Sequence, residues 1–279
     1  MKYGLYVAPI ESNRPITAIA QEAEDRGFDS IWIPEHVHIP VDRKTPYPFS
    51  PDGSLPETHY RLPDPFVALM AAATATTELK VATGICLVTE HEPIATAKAI
   101  ASLDSISGGR FLFGIGAGWL PEEMEPLGVK FADRWKVTEH RVRAMKALWT
   151  EETAEYHSEF VDFPATYLYP KPAQKPHPPI YIGTSVKYVY QRIVDWADGW
   201  LPNVNDPVKL AEGIAALRQT AEASGRDPDS IPVTMFNARR DALAEYERLG
   251  VERVVLMPRD PSDMQTADID EVARVVKGG

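Results

Sequence analysis

The chain has 279 residues, 44% of them hydrophobic, enough to bury one large core, and no apolar run approaches the roughly 18 residues of a membrane span. Forty acidic side chains against 29 basic ones leave a formal charge of −11 with no long basic run, which argues against a nucleic-acid backbone or an anionic membrane as partner and for a small molecule. The single cysteine, Cys86, excludes an intrachain disulfide, and with no signal peptide visible the expectation is a cytoplasmic protein.

Along the chain, short β-rich runs alternate with segments of helical period, the pattern of parallel strands joined by crossover helices. Strands are expected over 3–8, 30–34, 79–88, 111–117, 180–183, 199–202, 232–236 and 253–257. Apolar stripes mark the intervening helices: Ile16, Ile19 and Ala23; Val142, Met145, Leu148 and Trp149; Leu210, Ile214, Leu217 and Ala221; Ile269, Val272, Val275 and Val276. Asp268 and Glu271 suggest a capping box at the start of the last helix. Eight such units predict a single (β/α)8 TIM-barrel domain over 1–279, with a doubly wound sheet as the structural alternative. Two proline-rich stretches break the rhythm. Residues 34–65, with eight prolines, follow the second strand and should overhang the C-terminal mouth as a substrate lid carrying His36, His38, Tyr47, His59 and Tyr60. Residues 164–179, with six prolines, precede the fifth strand and should pack at the opposite rim.

Within this frame the residues able to carry chemistry gather at strand ends. Glu35 and His36 follow the second strand, and His36 is the best single candidate for proton transfer, since imidazole titrates near neutral pH. A structural turn histidine, or a metal pair with His38 as in a hydrolase barrel, are the competing readings; no metal is expected. The run Gly114-Ile115-Gly116-Ala117-Gly118-Trp119 places glycines at the end of the fourth strand, where a flat ring could lie against bare backbone, although glycines also serve tight barrel packing. A dinucleotide fingerprint fails there because Trp119 and Pro121 stand where its third glycine belongs. Gly183, Thr184 and Ser185 lead from the fifth strand into a helix expected near Val186, a natural phosphate seat or an ordinary serine cap, with Lys187 and Arg192 as nearby cations.

Together, the stretch 30–36 (Ser-Ile-Trp-Ile-Pro-Glu-His), the run 97–110, the Gly-rich end of the fourth strand and Asp198-Gly199-Trp200-Leu201-Pro202-Asn203 resemble the bacterial-luciferase-like family, and most closely its coenzyme F420 branch. The resemblance implies a TIM barrel holding a flavin-type ring at its mouth, the phosphate near Gly183, Thr184 and Ser185, and a bulged third strand with a non-proline cis peptide at Gly84–Ile85. Gly84, Ile85 and Cys86 would then back the ring, joined by Gly116, Gly118 and Trp119. It also implies a homodimer, since related barrels are commonly dimers. The sugar-phosphate dehydrogenases of that branch carry a glutamate where Trp119 stands, so that activity is not expected, and Trp119 would supply an apolar wall instead.

The resulting expectation is an F420-dependent oxidoreductase. Hydride would pass between deazaflavin and a small, moderately apolar substrate held by His38 and Tyr60, with His36 and Glu35 catalytic. An FMN-dependent monooxygenase of the same fold and a non-catalytic flavin carrier are the alternatives. The several carboxylates of the F420 tail would need a cation cluster or solvent, and the sequence does not locate one.

Overall fold

Backbone hydrogen bonding joins eight parallel positions into a ring. The computed structural model describes residues 1–186, 188–204 and 206–277. The strands are β1 (Lys2–Tyr6), β2 (Ser30–Ile33), β3 (Lys80–Thr83), β4 (Cys86–Leu87), β5 (Phe111–Gly116), β6 (Ala154–His157), β7 (Asp162–Thr166), β8 (Ile180–Ile182), β9 (Gly199–Trp200), β10 (Thr234–Met235) and β11 (Arg253–Leu256). The order is β10-β11-β1-β2-β3-β5-β8-β9, and a parallel bridge between Trp200 and Val233 joins its two ends. The helices are α1 (Ile16–Asp25), α2 (Pro65–Thr74), α3 (Pro93–Ile106), α4 (Pro121–Met124), α5 (Arg134–Thr150), α6 (Val189–Trp196), α7 (Pro207–Ala223), α8 (Leu243–Arg248) and α9 (Thr266–Lys277). The fold is an α/β TIM barrel.

The apolar stripes meet the sheet as their spacing requires. Val142, Met145, Leu148 and Trp149 of α5 are buried together with Ile19, Ala23, Leu210, Leu217, Ala221, Ile269 and Val272 in the layer between strands and helices. Removing each large side chain of this kind from water is worth about 1.5–3 kcal/mol. A second, smaller cluster of Trp32, Ala82, Leu112, Tyr181, Leu201 and Val255 fills the barrel interior. The two clusters take alternate residues of each strand, as the two-residue period demands.

Three details refine the sequence reading, the first of them as the family resemblance implies. The third strand is not continuous: it breaks at Gly84–Ile85, a cis peptide bond, and resumes as β4 beside β5. β6 and β7 form an antiparallel hairpin outside the ring. At the last helix the start falls at Thr266, so Asp268 reaches back to accept from the Gln265 N–H at 2.9 Å, while Glu271 pairs with Arg240 at 2.7 Å instead of completing a capping box.

The proline-rich stretch 164–179 packs where the chain order places it. Gln174 donates to Asp104 and to the carbonyl of Phe111, the first residue of β5, which puts the stretch at the N-terminal rim away from the mouth.

Candidate active site

Strand β2 ends at Ile33, and the chain turns at Pro34 to bring Glu35 and His36 to the C-terminal mouth. The two side chains take opposite courses. Glu35 is buried in the wall: one carboxylate oxygen accepts from the Leu87 N–H at 2.6 Å and the other meets His91 Nε2 at 2.7 Å. Burial lowers the affinity of His91 for its proton, but the hydrogen bond and charge of Glu35 outweigh it and hold the imidazole above its ordinary range. Glu35 thus fastens the loop after β2 to the segment that follows Gly84–Ile85. Its expected place as a catalytic group facing the mouth is corrected to a wall position, from which its charge acts on His36. Ligand atoms of Glu35, Cys86 and His91 lie within 4.8 Å of one another, a spacing a metal could use, yet hydrogen bonds already join Glu35 to His91 and Leu87.

His36 turns toward α4. Its Nδ1 lies 2.8 and 3.0 Å from the two carboxylate oxygens of Glu123, and the two side chains are only 6% and 1% exposed. Burial pushes the His36 imidazole down to about 4 against the opposing charge of Glu35, so the ring is neutral at pH 7. Burial pushes Glu123 up to about 7, opposed by the neighbouring Glu90 carboxyl and by the backbone of His38 and Val37. Glu90, buried behind Glu123, rises to about 10 through burial and the adjacent Glu123. The Glu90 carboxyl oxygens find no hydrogen-bond partner among the described residues, and Glu90, raised further than Glu123, keeps its proton at pH 7.

This arrangement sets the chemistry available to His36. With Glu123 ionised, Nδ1–H donates to it and Nε2 carries a lone pair able to take a proton; with Glu123 protonated, Nδ1 accepts and Nε2–H can give one.

Aromatic side chains enclose the imidazole. Trp119 stands edge-on to His36 at 6.1 Å and to Tyr47 at 5.4 Å, and His59 lies 5.4 Å from His36. Tyr47 and His59 also meet through the Tyr47 hydroxyl and His59 Nε2 at 3.2 Å. Glu122, beside Glu123, accepts from the N–H groups of Lys44 and Thr45 at 2.9 Å and so pins the 34–65 insertion across the mouth. Tyr60 projects outward at 56% exposure, and it is its neighbour His59 that the structure brings to His36. His38 contributes its backbone beside Glu123.

The glycines answer to packing, one of the two readings the sequence allows. A side chain at Gly116 would collide with Ile85 Cδ1, and a Cβ at Gly183 would lie 2.7 Å from Ile85 Cγ2. At Gly118, where φ is +74°, the space belongs to Met124. Gly116 and Gly183 therefore receive the side chain of Ile85, which is half-buried and packs on the cluster inside the barrel. Cys86 is fully buried beneath it and Gly84 packs against Phe236 and Trp32. After β8, Thr184 is half-buried and its carbonyl accepts from Trp200 Nε1 at 2.7 Å, Ser185 is exposed, and α6 starts at Val189 rather than near Val186. Lys187 lies outside the described residues.

Sequence reasoning missed Glu123 and Glu90. The signal was present as an acidic run, Glu122, Glu123 and Glu125, directly after the glycine-rich strand end, but acidic residues at a helix start have an ordinary electrostatic reason.

Barrel, interrupted third strand and imidazole at the mouth define a class, and comparison with known proteins agrees with it. Residues 4–253 match the model of the luciferase-like monooxygenase family, and the chain belongs to that family. It is 38% identical over 280 residues to an uncharacterized protein of Mycobacterium tuberculosis, covering 98% of both chains. It is 30% identical over 197 residues to the FMNH2-dependent dimethylsulfone monooxygenase of Pseudomonas putida, covering 68% of this chain and 52% of that one. A solved F420-dependent secondary alcohol dehydrogenase, in complex with an F420-acetone adduct, superposes with a TM-score of 0.79 at 18% identity over 99% of this chain and 98% of the other. Among the described residues no helix is long and apolar enough to cross a membrane.

Proposed function

We propose that this protein is an F420-dependent oxidoreductase, a single barrel domain acting on a small, moderately apolar substrate. The observation that carries this reading is the neutral, buried His36 held at Nδ1 by Glu123 at the mouth of the barrel. Ile85 would back a bound deazaflavin and Gly183, Thr184 and Ser185 would hold its phosphate, and the cofactor would supply a carbon centre able to take or give hydride. The protein's own part is then proton handling and exclusion of water. His36 Nε2 takes the proton from a substrate hydroxyl when the carbon is oxidised and returns it when a carbonyl is reduced, while Glu123 fixes the tautomer and Glu90 keeps the pair one proton richer. Trp119, Tyr47 and His59 wall the substrate space, and the insertion tied down through Glu122 covers it.

Glu35, in the wall, acts through its charge on His36 and through the backbone it holds. The substituents on the substrate's oxygen-bearing carbon would sit against Trp119, which suits an apolar carbonyl compound or alcohol better than a phosphorylated sugar.

The second reading, an FMN-dependent monooxygenase, is supported by the relative from Pseudomonas putida. Fluorescence titration of the purified protein with F420 and, separately, with FMN tests the choice. Micromolar or tighter F420 binding with much weaker FMN binding is expected, and the reverse order overturns the proposal. Tight F420 binding without turnover of any alcohol or carbonyl compound across a broad panel would leave a carrier.

A further inference from the structure

The mouth has a cationic edge that the proton-transfer site does not use. β5 and β8 are neighbours in the ring, and the helices that follow them, α5 and α6, both begin on the mouth side. Arg134 is the first residue of α5 and Arg192 lies one turn into α6. The two helices meet there, because the Arg192 guanidinium stacks over Trp135, the residue after Arg134, at 4.3 Å, with Tyr188 at 5.9 Å on the same group. Arg134 stacks over Phe131 at 3.8 Å and donates to its carbonyl at 2.8 Å.

Among the described residues neither arginine has a carboxylate partner, unlike Arg14 with Glu22, Arg240 with Glu271 and Arg253 with Asp29; Arg110 and Arg226 also lack one, but their guanidiniums are taken up by backbone carbonyls of the protein itself. Arg192 Nη1 is buried with no acceptor among the described residues. The nearest acidic charge bearing on Arg192 is that of Glu139, which is already paired with Arg143 at 2.9 Å. The charge of Arg134 repels that of Arg192. Two half-buried guanidiniums held in place by aromatic faces, repelling each other and uncompensated by the protein, are arranged to receive an anion from outside.

We propose that Arg134 and Arg192 form an anion subsite at the outer edge of the mouth that takes a polycarboxylate group. The loop Gly183–Ser185 runs from β8 toward α6, so a chain of carboxylates leaving the mouth past this loop reaches the arginine pair. Resting on the F420 reading above, the occupant is the acidic tail of that cofactor. A phosphate, which FMN shares, is the other source of the same charge.

Fluorescence titrations separate these sources. F420, its chromophore stripped of phosphate and tail, and FMN are each titrated into wild-type protein and into R134Q/R192Q and R134K/R192K, with thermal melts confirming folding. The proposal expects the glutamine pair to weaken F420 binding about 10- to 100-fold, leave the stripped chromophore and FMN within about twofold, and abolish most of the salt dependence of F420 binding; the lysine pair should recover much of the loss. Unchanged F420 affinity in the glutamine pair, an equal loss for the stripped chromophore, an equal loss for FMN, or a lysine pair as weak as the glutamine pair would each overturn it. Calorimetric titration with triglutamate alone keeps the subsite separate from the F420 reading. Arginine-dependent triglutamate binding in a protein that does not bind F420 upholds the subsite and removes the cofactor assignment, and triglutamate binding that ignores both arginines removes the subsite.

Discussion

His36 Nδ1 and the Glu123 carboxylate face each other at 2.8 Å across the barrel mouth, joining the loop after β2 to the short helix after β5. His91 and the buried Glu35 form a second such pair in the wall, but it is the His36–Glu123 pair that decides which nitrogen of His36 is free for substrate. Replacing His36 by alanine should therefore lower turnover by about 10²- to 10⁴-fold, the usual worth of a positioned acid–base group, while F420 affinity stays within about twofold. Steady-state kinetics beside a binding titration check this. Unaltered turnover removes His36 from the chemistry.

Glu123 sets a pH dependence. Burial raises it to about 7, so the carboxylate forms as pH rises through neutrality. Oxidation of an alcohol, which needs a basic Nε2, should accelerate through that range, and carbonyl reduction, which needs Nε2–H, should slow. In E123Q the inflection near 7 should vanish and kcat should fall about tenfold, with cofactor binding retained. An intact inflection in E123Q would assign the titration to another group.

Glu90 affects folding as well. It is raised to about 10 in the folded chain from an ordinary 4.5, so the stability linked to its protonated form is fully present below the lower value and is lost as pH rises through the upper one. Thermal melts from pH 6 to 9 should decline for the wild type and decline less for E90Q, which stays neutral throughout. Parallel curves would show that Glu90 carries no such proton.

Ile85 is the proposed seat for the ring, and Gly116 makes room for it. An alanine at 116 should push the flexible end of Ile85 into the mouth and weaken F420 about tenfold, a difference of about 1.4 kcal/mol. The double variant G116A/I85A should recover part of that loss. A G116A protein that binds F420 normally would show that the ring does not depend on this side chain.

The barrel was legible because each strand and its following helix carry their own periodicity, which local sequence records. The break at Gly84–Ile85 came through resemblance to the luciferase-like family, and the structure has it at that bond. The hairpin β6–β7 was not legible: its strands are short and mostly exposed, so they lack the apolar alternation that marks a half-buried strand. His36 could be singled out from its place after a strand. Its partner could not, since Glu123 lies 87 residues away and is chosen by which two loops meet above the ring. The same limit applies to the glycines. Gly116 could be read either as an opening for a ring or as tight packing, because the side chain that fills the space, Ile85, arrives from another strand.

A crystal structure of the protein with F420 bound tests the central claim most directly. The account predicts the deazaflavin ring in van der Waals contact with Ile85, its reactive carbon facing the space beside His36 Nε2. A ring bound away from Ile85, or one whose reactive carbon is walled off from His36, would contradict it.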